Sequence, residues 1–181
     1  MSQRDSGYER KERDLYETPA WATEAVISHL PFVNGRRIWE PACGSGKMLK
    51  VLVDRLGDVC GTDIDTGIGI PDTDFLACDK AHDAFGIVTN PPYALAQEFC
   101  SHAIGLMEPV NGFVAMLLRT DFDHAKTRSY LFSGCPLFSK KLVLTKRIKW
   151  FEDSTGSPSF NHAWFIWDWK HSGPPTLAYG P

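Results

Sequence analysis

"RRIWEPACGSGKMLKVLVDRL", Arg36 to Leu56, reads as a strand, a glycine turn and a helix in immediate succession. The β-branched and aromatic residues of "RRIWE" suit a short strand. In "MLKVLVDRL" the residues Leu49, Leu52, Val53 and Leu56 recur at i, i+3, i+4 and i+7, the spacing of one helical face. Between them, "EPACGSGKM" (40–48) carries the close pair Gly44 and Gly46. Such a turn lets backbone N–H groups and a helix N-terminus approach a ligand.

The same alternation continues on both sides. Upstream, "ETPAWATEAVISHLP" (17–31) predicts a helix with Thr18 as its cap, Pro19 in its first position and Pro31 closing it. Downstream, "DVCGTDID" (58–65) is a second strand, "DTDFLACD" (72–79) a short third and "FGIVTN" (85–90) a fourth. Residues 94–107 read as helix, "GFVAMLLRT" (112–120) as a fifth strand and 123–132 as a short helix. Strands alternating with helices imply a parallel α/β sheet with right-handed crossovers. The end differs, since "KKLVLTKRIKWF" (140–151) and "NHAWFIWDW" (161–169) have only "EDSTGSPS" between them. They are expected to form an antiparallel hairpin at the sheet edge. The resulting division is a loose charged arm at 1–17, one domain over 18–170 and an irregular tail at 171–181.

Composition narrows the class. A chain of 181 residues can bury a full core without disulfides or metals. No apolar run approaches the roughly 20 residues that span a bilayer, and the opening thirty residues are too charged for a secretory signal. A soluble cytoplasmic protein with no membrane partner is expected. The five cysteines form no C-x-x-C pair and the six histidines have no zinc-like spacing with them, so reduced packing thiols and no metal are expected. The net charge of −3 is unevenly spread: residues 1–123 hold 11 basic and 19 acidic side chains, residues 124–181 hold 8 and 3. Lys126, Arg128, Lys146, Arg147 and Lys149 fall in an acid-free run from His124 to Phe151. A charge run is often only a solvated face.

Two phosphate-binding readings of the glycine turn fail. A P-loop would need glycine where Pro41 stands and Ser or Thr where Met48 stands, and a dinucleotide fingerprint would need glycine at Leu49. What remains is a short G-x-G turn led by Glu40. Asp63 ends the second strand, where a carboxylate suits ribose hydroxyls. Asp74 and Phe75 offer a carboxylate and an aromatic face beyond the third. Taken singly, each serves equally as turn chemistry or core packing. "TNPPY" (89–93) adds a strand stopped by two prolines, which remove backbone donors and fix φ.

In order along the chain, "YETP", "EPACGSG", "GTDID", "DFL" and "TNPPY" resemble the class I S-adenosylmethionine-dependent methyltransferases, and within them the amino methyltransferases acting on adenine N6. The resemblance covers residues 16–118. It implies a Rossmann-like, seven-stranded, mostly parallel sheet with an antiparallel terminal hairpin and helices on both faces. It implies S-adenosylmethionine as cofactor, with Thr18 and Pro19 closing over its methionine part. Glu40, Ala42, Cys43, Gly44 and Gly46 match the turn around methionine and ribose, Asp63 the ribose carboxylate, and Asp74 with Phe75 the adenine contacts. Asn90, Pro91, Pro92 and Tyr93 match the catalytic tetrapeptide. Larger DNA methyltransferases of this kind carry a separate target-recognition region for which 181 residues leave no room. The compact form looks most like small phage or prophage enzymes.

The tetrapeptide has a chemical reason. An exocyclic amino nitrogen is a poor nucleophile because its lone pair is delocalised into the ring. The Asn90 side-chain oxygen and the Pro91 carbonyl can each accept an amino hydrogen, aim the lone pair and stabilise the positive charge that develops. Tyr93 offers a face for a planar group, in a pocket suited to an extruded base. Glutamine methyltransferases use the same tetrapeptide on a side-chain amide, whereas cytosine N4 enzymes usually carry Ser for Asn. The basic run favours nucleic acid, DNA first, as the partner, because phosphate contacts need Lys and Arg. The alternatives are methylation of a protein glutamine or an RNA base, or a non-catalytic cofactor- or nucleic-acid-binding module, against which the intact Asn90–Tyr93 argues. Phe165 and Trp167 are expected to fill the core, the loop 152–160 to touch substrate, and His124 and His162 to be structural or incidental.

Overall fold

The computed structural model describes residues 16–33, 35–65, 69–150 and 160–181. The strands are β1 (Ile38–Glu40), β2 (Val59–Gly61), β3 (Gly86–Thr89), β4 (Phe113–Arg119), β5 (Phe138–Leu144), β6 (His162–Asp168) and β7 (Thr176–Gly180). They form one seven-stranded sheet in the order β2-β1-β3-β4-β6-β5-β7. The first four are mutually parallel, β6 runs antiparallel to both β4 and β5, and β7 lies parallel to β5. The helices are α1 (Ala20–Ile27), α2 (Lys47–Leu56) and α3 (Ala96–Met107).

Two-residue periodicity decides which helix covers which face. Phe113, Ala115 and Leu117 of β4 join Ala22 and Val26 of α1 and Met48 and Leu52 of α2 in one core. Val114, Met116 and Leu118 point the other way, into a core with Phe99, Cys100, Ala103 and Met107 of α3. Strands covered on both faces read as continuous apolar runs, which is why β4 and β6 are so hydrophobic. Phe165 and Trp167 are fully buried, as expected of core residues. The indoles fasten the layers: Trp164 Nε1 donates to Ala22 O at 2.8 Å and Trp167 Nε1 to Leu131 O at 2.6 Å.

Several expectations need correction. "DTDFLACD" forms no strand. Asp74 Oδ1 accepts the Leu76 N–H at 3.0 Å and starts a 3-10 turn at Phe75–Ala77, so the local side-chain bond takes a donor that a ladder would need. The seventh strand comes instead from the supposedly irregular tail, where β7 pairs with β5 from Lys140↔Thr176 to Leu144↔Gly180. Residues 162–168 and 138–144 do pair antiparallel, but β6 is interior and β7, not the hairpin, forms that edge. The short helix expected over 123–132 takes the form of two 3-10 segments, Phe122–His124 and Lys126–Leu131. Pro19 is itself the α1 cap residue, extended at ψ 145°, while Thr18 is buried and makes no capping bond. Val53 is 42% exposed, leaving Met48, Leu49 and Leu52 as the buried face of α2.

His162 begins β6 opposite Arg119 and is 2% exposed. Burial first, and then the Arg119 charge, pull its pKa from 6.5 down to about 4. Protonation therefore favours the unfolded chain. The stability conferred by neutral His162 is complete above pH 6.5 and is lost as the pH falls towards 4. The expected loss over that window is up to about 3 kcal/mol. Urea titrations of the protein and its His162→Gln variant should show a shallower acid limb for the variant, and parallel limbs would contradict this account.

Candidate active site

Because β1 to β4 are parallel, their C-terminal ends share one side of the sheet. There the chain delivers Glu40 from β1, Asp63 beyond β2, Asn90 beyond β3 and Arg119 from β4. Ligands of open α/β sheets bind at this end. The cleft there is lined by Thr18, Glu40, Ala42, Cys43, Gly44, Asp63, Asp74, Phe75, Asn90 and Pro92, all proposed from sequence. Pro19, Gly46, Pro91 and Tyr93 are not in its lining. Tyr16, Glu17, Ser45, Lys47, Asp65, Leu95 and Phe99 join it.

The glycine turn takes its shape from conformations that side chains resist. Gly44 and Gly46 have φ of 49° and 79°, and Gly46 caps α2. Gly44 N then donates to Asp63 Oδ2 at 2.7 Å, and Asp65 N to Asp63 Oδ1 at 2.9 Å. The Asp63 carboxylate is held in place with lone pairs left for hydroxyl donors. Glu40 is 2% exposed, and its Oε2 has no partner among the described residues. Burial, reinforced by the Asp63 charge, pushes its carboxyl well above the usual carboxylate range. Burial and then the Glu40 and Asp63 charges push the Cys43 thiol up to about 12, so it is no thiolate nucleophile at neutral pH.

The lining sets five carboxyl side chains, Glu17, Glu40, Asp63, Asp65 and Asp74, against Lys47. Lys47 is itself paired with Glu17 at 2.8 Å. This acidic, acceptor-rich lining disfavours phosphates and suits a ligand that brings hydroxyls and positive charge. Phe75 is 2% exposed, packed against Trp39, Phe99 and His102, so little more than the margin of its ring faces the cleft.

Asn90 is the polar tip of β3. Its Nδ2 donates to Tyr16 O at 3.2 Å, while Oδ1 is buried and has no partner among the described residues. Tyr93 follows within a group of rings. Tyr16 and His162 each stack on it with centroids 5.9 Å away, and Trp150 sits edge-on at 6.2 Å. Sequence reasoning left His162 as structural or incidental, and it is buried at the start of β6; Tyr16 and Trp150 were not singled out. No local motif reports that these rings converge, although Tyr16 begins the "YETP" segment.

The basic residues divide. Lys146, Arg147 and Lys149 are exposed on the segment that leaves β5 and reaches Trp150, at the same sheet end as Asn90. Lys146 Nζ lies 4.9 Å from the Trp21 ring centre. Lys126 is exposed beside a separate hollow with Asp123, His124 and Phe132. Arg128 is engaged within its own segment, donating to Phe122 O at 2.7 Å. Most of the loop 152–160 lies outside the described residues. Among those described, no group of His, Cys, Asp or Glu could hold a metal ion, and no helix is long and apolar enough to cross a membrane.

No family model matches the chain, and no curated protein does. Solved structures do. The type I restriction-modification methyltransferase subunit from Streptococcus thermophilus superposes with TM-score 0.64 at 14% identity, over 87% of this chain and 45% of its own. The 23S rRNA methyltransferase ErmE gives TM-score 0.60 at 17% identity, over 85% and 68%. An S-adenosylmethionine-dependent O-methyltransferase from Thermotoga maritima gives 0.56 at 14%, over 81% and 64%. The chain thus spans less than half of the restriction-modification subunit. At these identities the likeness is one of fold, and the chain has the Rossmann-like fold of these methyltransferases.

Proposed function

We propose that this protein is an S-adenosylmethionine-dependent N-methyltransferase whose acceptor is the exocyclic N6 of adenine in DNA. The observation that carries the reading is the buried Asn90 Oδ1, which has no partner among the described residues, in the lining of an acidic cleft. A buried acceptor without a donor costs about 1–3 kcal/mol, which makes sense at a site whose donor arrives with the substrate. An amino group supplies such a donor.

The cleft residues fit the cofactor. Asp63 would take the ribose hydroxyls, Glu40 and the turn at Ala42–Gly44 the methionine part, and Asp74 with the margin of Phe75 the adenine. Thr18 and Pro19 would close one side, and Gly46 would shape the turn. Bound there, the cofactor supplies an electrophilic methyl group on sulfonium.

The chain's own groups do the rest. Asn90 Oδ1 and the Pro91 carbonyl each accept one amino hydrogen, turning the nitrogen lone pair out of conjugation and towards the methyl donor. Their partial charges stabilise the nitrogen more as it becomes cationic than before, and that difference lowers the barrier. Pro91 disfavours the helical region for Asn90, and Pro92 does the same for Pro91, so the backbone that carries both acceptors is restricted before substrate binds. Tyr93, whose ring already meets Tyr16, His162 and Trp150, would border the acceptor through this ring cluster.

The position of Lys146, Arg147 and Lys149 at the catalytic end supports a nucleic-acid substrate. A protein glutamine amide presents the same two amino hydrogens and is the alternative acceptor. Incubation with methyl-labelled cofactor and, separately, duplex DNA, single-stranded DNA, RNA and protein extract distinguishes them. The expected product is N6-methyladenine in DNA, and label confined to glutamine in protein would overturn the substrate assignment. Replacing Lys146, Arg147 and Lys149 together with Ala should lower the slope of log affinity against log salt by about 2 to 3, since each phosphate contact contributes about 0.9 on duplex DNA. An unchanged slope would show that these charges touch no phosphate.

A further inference from the structure

The side-chain amide of Asn has two ends of nearly equal shape and opposite chemistry, so its hydrogen bonds decide which end faces a ligand. In this protein one bond makes the choice. Asn90 Nδ2 donates to the main-chain carbonyl of Tyr16 at 3.2 Å, which leaves Oδ1 as the end without a protein partner among the described residues. The two residues are 74 positions apart.

Four further contacts fix where that carbonyl lies. The Tyr16 ring stacks on Tyr93 at 5.9 Å with planes 24° apart, and packs against Trp150 at 5.4 Å. The adjoining Glu17 accepts from Ser45 Oγ at 2.6 Å and pairs with Lys47 Nζ at 2.8 Å. Residues 16 and 17 therefore join the glycine turn to the tip of β3. Their anchors are the ring at one side and the carboxylate at the other.

We propose that Tyr16 is a positioning residue for the transfer step: its ring, clamped by Tyr93 and Trp150, holds its carbonyl where it orients the Asn90 amide with the acceptor oxygen towards the substrate amino group. The inference rests on the methyl-transfer reading above. Were the amide turned over, Nδ2 would meet the substrate amino group donor to donor, and the lone pair would no longer be aimed. Tyr16 acts through Asn90 and touches no reacting atom. The stacked ring face, which Phe retains and Ala removes, is the part of Tyr16 that holds the carbonyl in position.

The test uses Tyr16→Ala and Tyr16→Phe in the full-length protein, with two readouts. The first needs no substrate: the Asn90 side-chain NH2 signals in a nitrogen-proton correlation spectrum, assigned by their disappearance in Asn90→Asp. Tyr16→Ala should shift these signals and accelerate their exchange with water, and Tyr16→Phe should leave both as in the unchanged protein. The second is single-turnover methyl transfer at saturating cofactor. Here Tyr16→Ala should lose about ten- to a hundredfold, as for a misaligned acceptor, with Tyr16→Phe retaining full rate. Unchanged Asn90 signals in Tyr16→Ala would overturn the proposal, as would equal losses of rate in both variants. Absence of methyl transfer by the unchanged protein on every substrate class would instead overturn the methyl-transfer reading, with the spectrum still reporting on the contact.

Discussion

A parallel sheet covered on both faces has almost nowhere to place polar side chains except its strand ends, and this requirement organises the molecule. Ile38 lies level with both Val59 and Gly86, and Gly86 with Phe113, so β1 to β4 march in step. The close approach is tight: a Cβ on Gly86 would lie 2.3 Å from the Phe113 ring. Since the strands are in register, the residues that follow them emerge together. Glu40, Asp63 and Asn90 become neighbours of one cleft although the chain separates them widely.

Gathering those groups is costly. Glu40 Oε2 and Asn90 Oδ1 are both buried without partners among the described residues, each incurring a desolvation penalty that an apolar residue would avoid. The surrounding core offsets this. Three fully buried indoles, Trp39, Trp164 and Trp167, each find a hydrogen-bond acceptor while filling the two layers. The polar strain thus sits at the site and the compensation sits in the sheet, a division expected where function opposes stability.

What could be read from sequence was what short-range chemistry determines. The glycine pair with its positive φ values, the carboxylate after β2 and the proline-stopped strand each carry a local reason for their residue types, and these segments meet at one cleft. The strand expected over 72–79 failed because Asp74 turns its own backbone, a competition that composition does not resolve. β7 was missed because Pro174 and Pro175 mask a strand whose partner, β5, lies more than thirty residues earlier. The ring cluster was missed for a similar reason. Tyr16, Tyr93 and the Trp150–His162 pair come from three separate parts of the chain, and only the completed sheet links them through ring contacts of about 5 to 6 Å, ordinary ring-stacking range.

The central claim is that the Asn90 oxygen, without a partner among the described residues, accepts from the amino group being methylated. Asn90→Ala removes that oxygen and leaves Asp63, Glu40 and the glycine turn untouched. Calorimetry with the cofactor and single-turnover transfer to the methylated substrate, both made on this variant, measure binding and chemistry separately. The account predicts cofactor affinity within about threefold of the unchanged protein and a transfer rate lower by on the order of a hundred- to a thousandfold, the usual cost of removing one preorganised partner of a developing charge. Transfer at a near-normal rate would contradict it, and would make the tetrapeptide a turn that merely ends a strand.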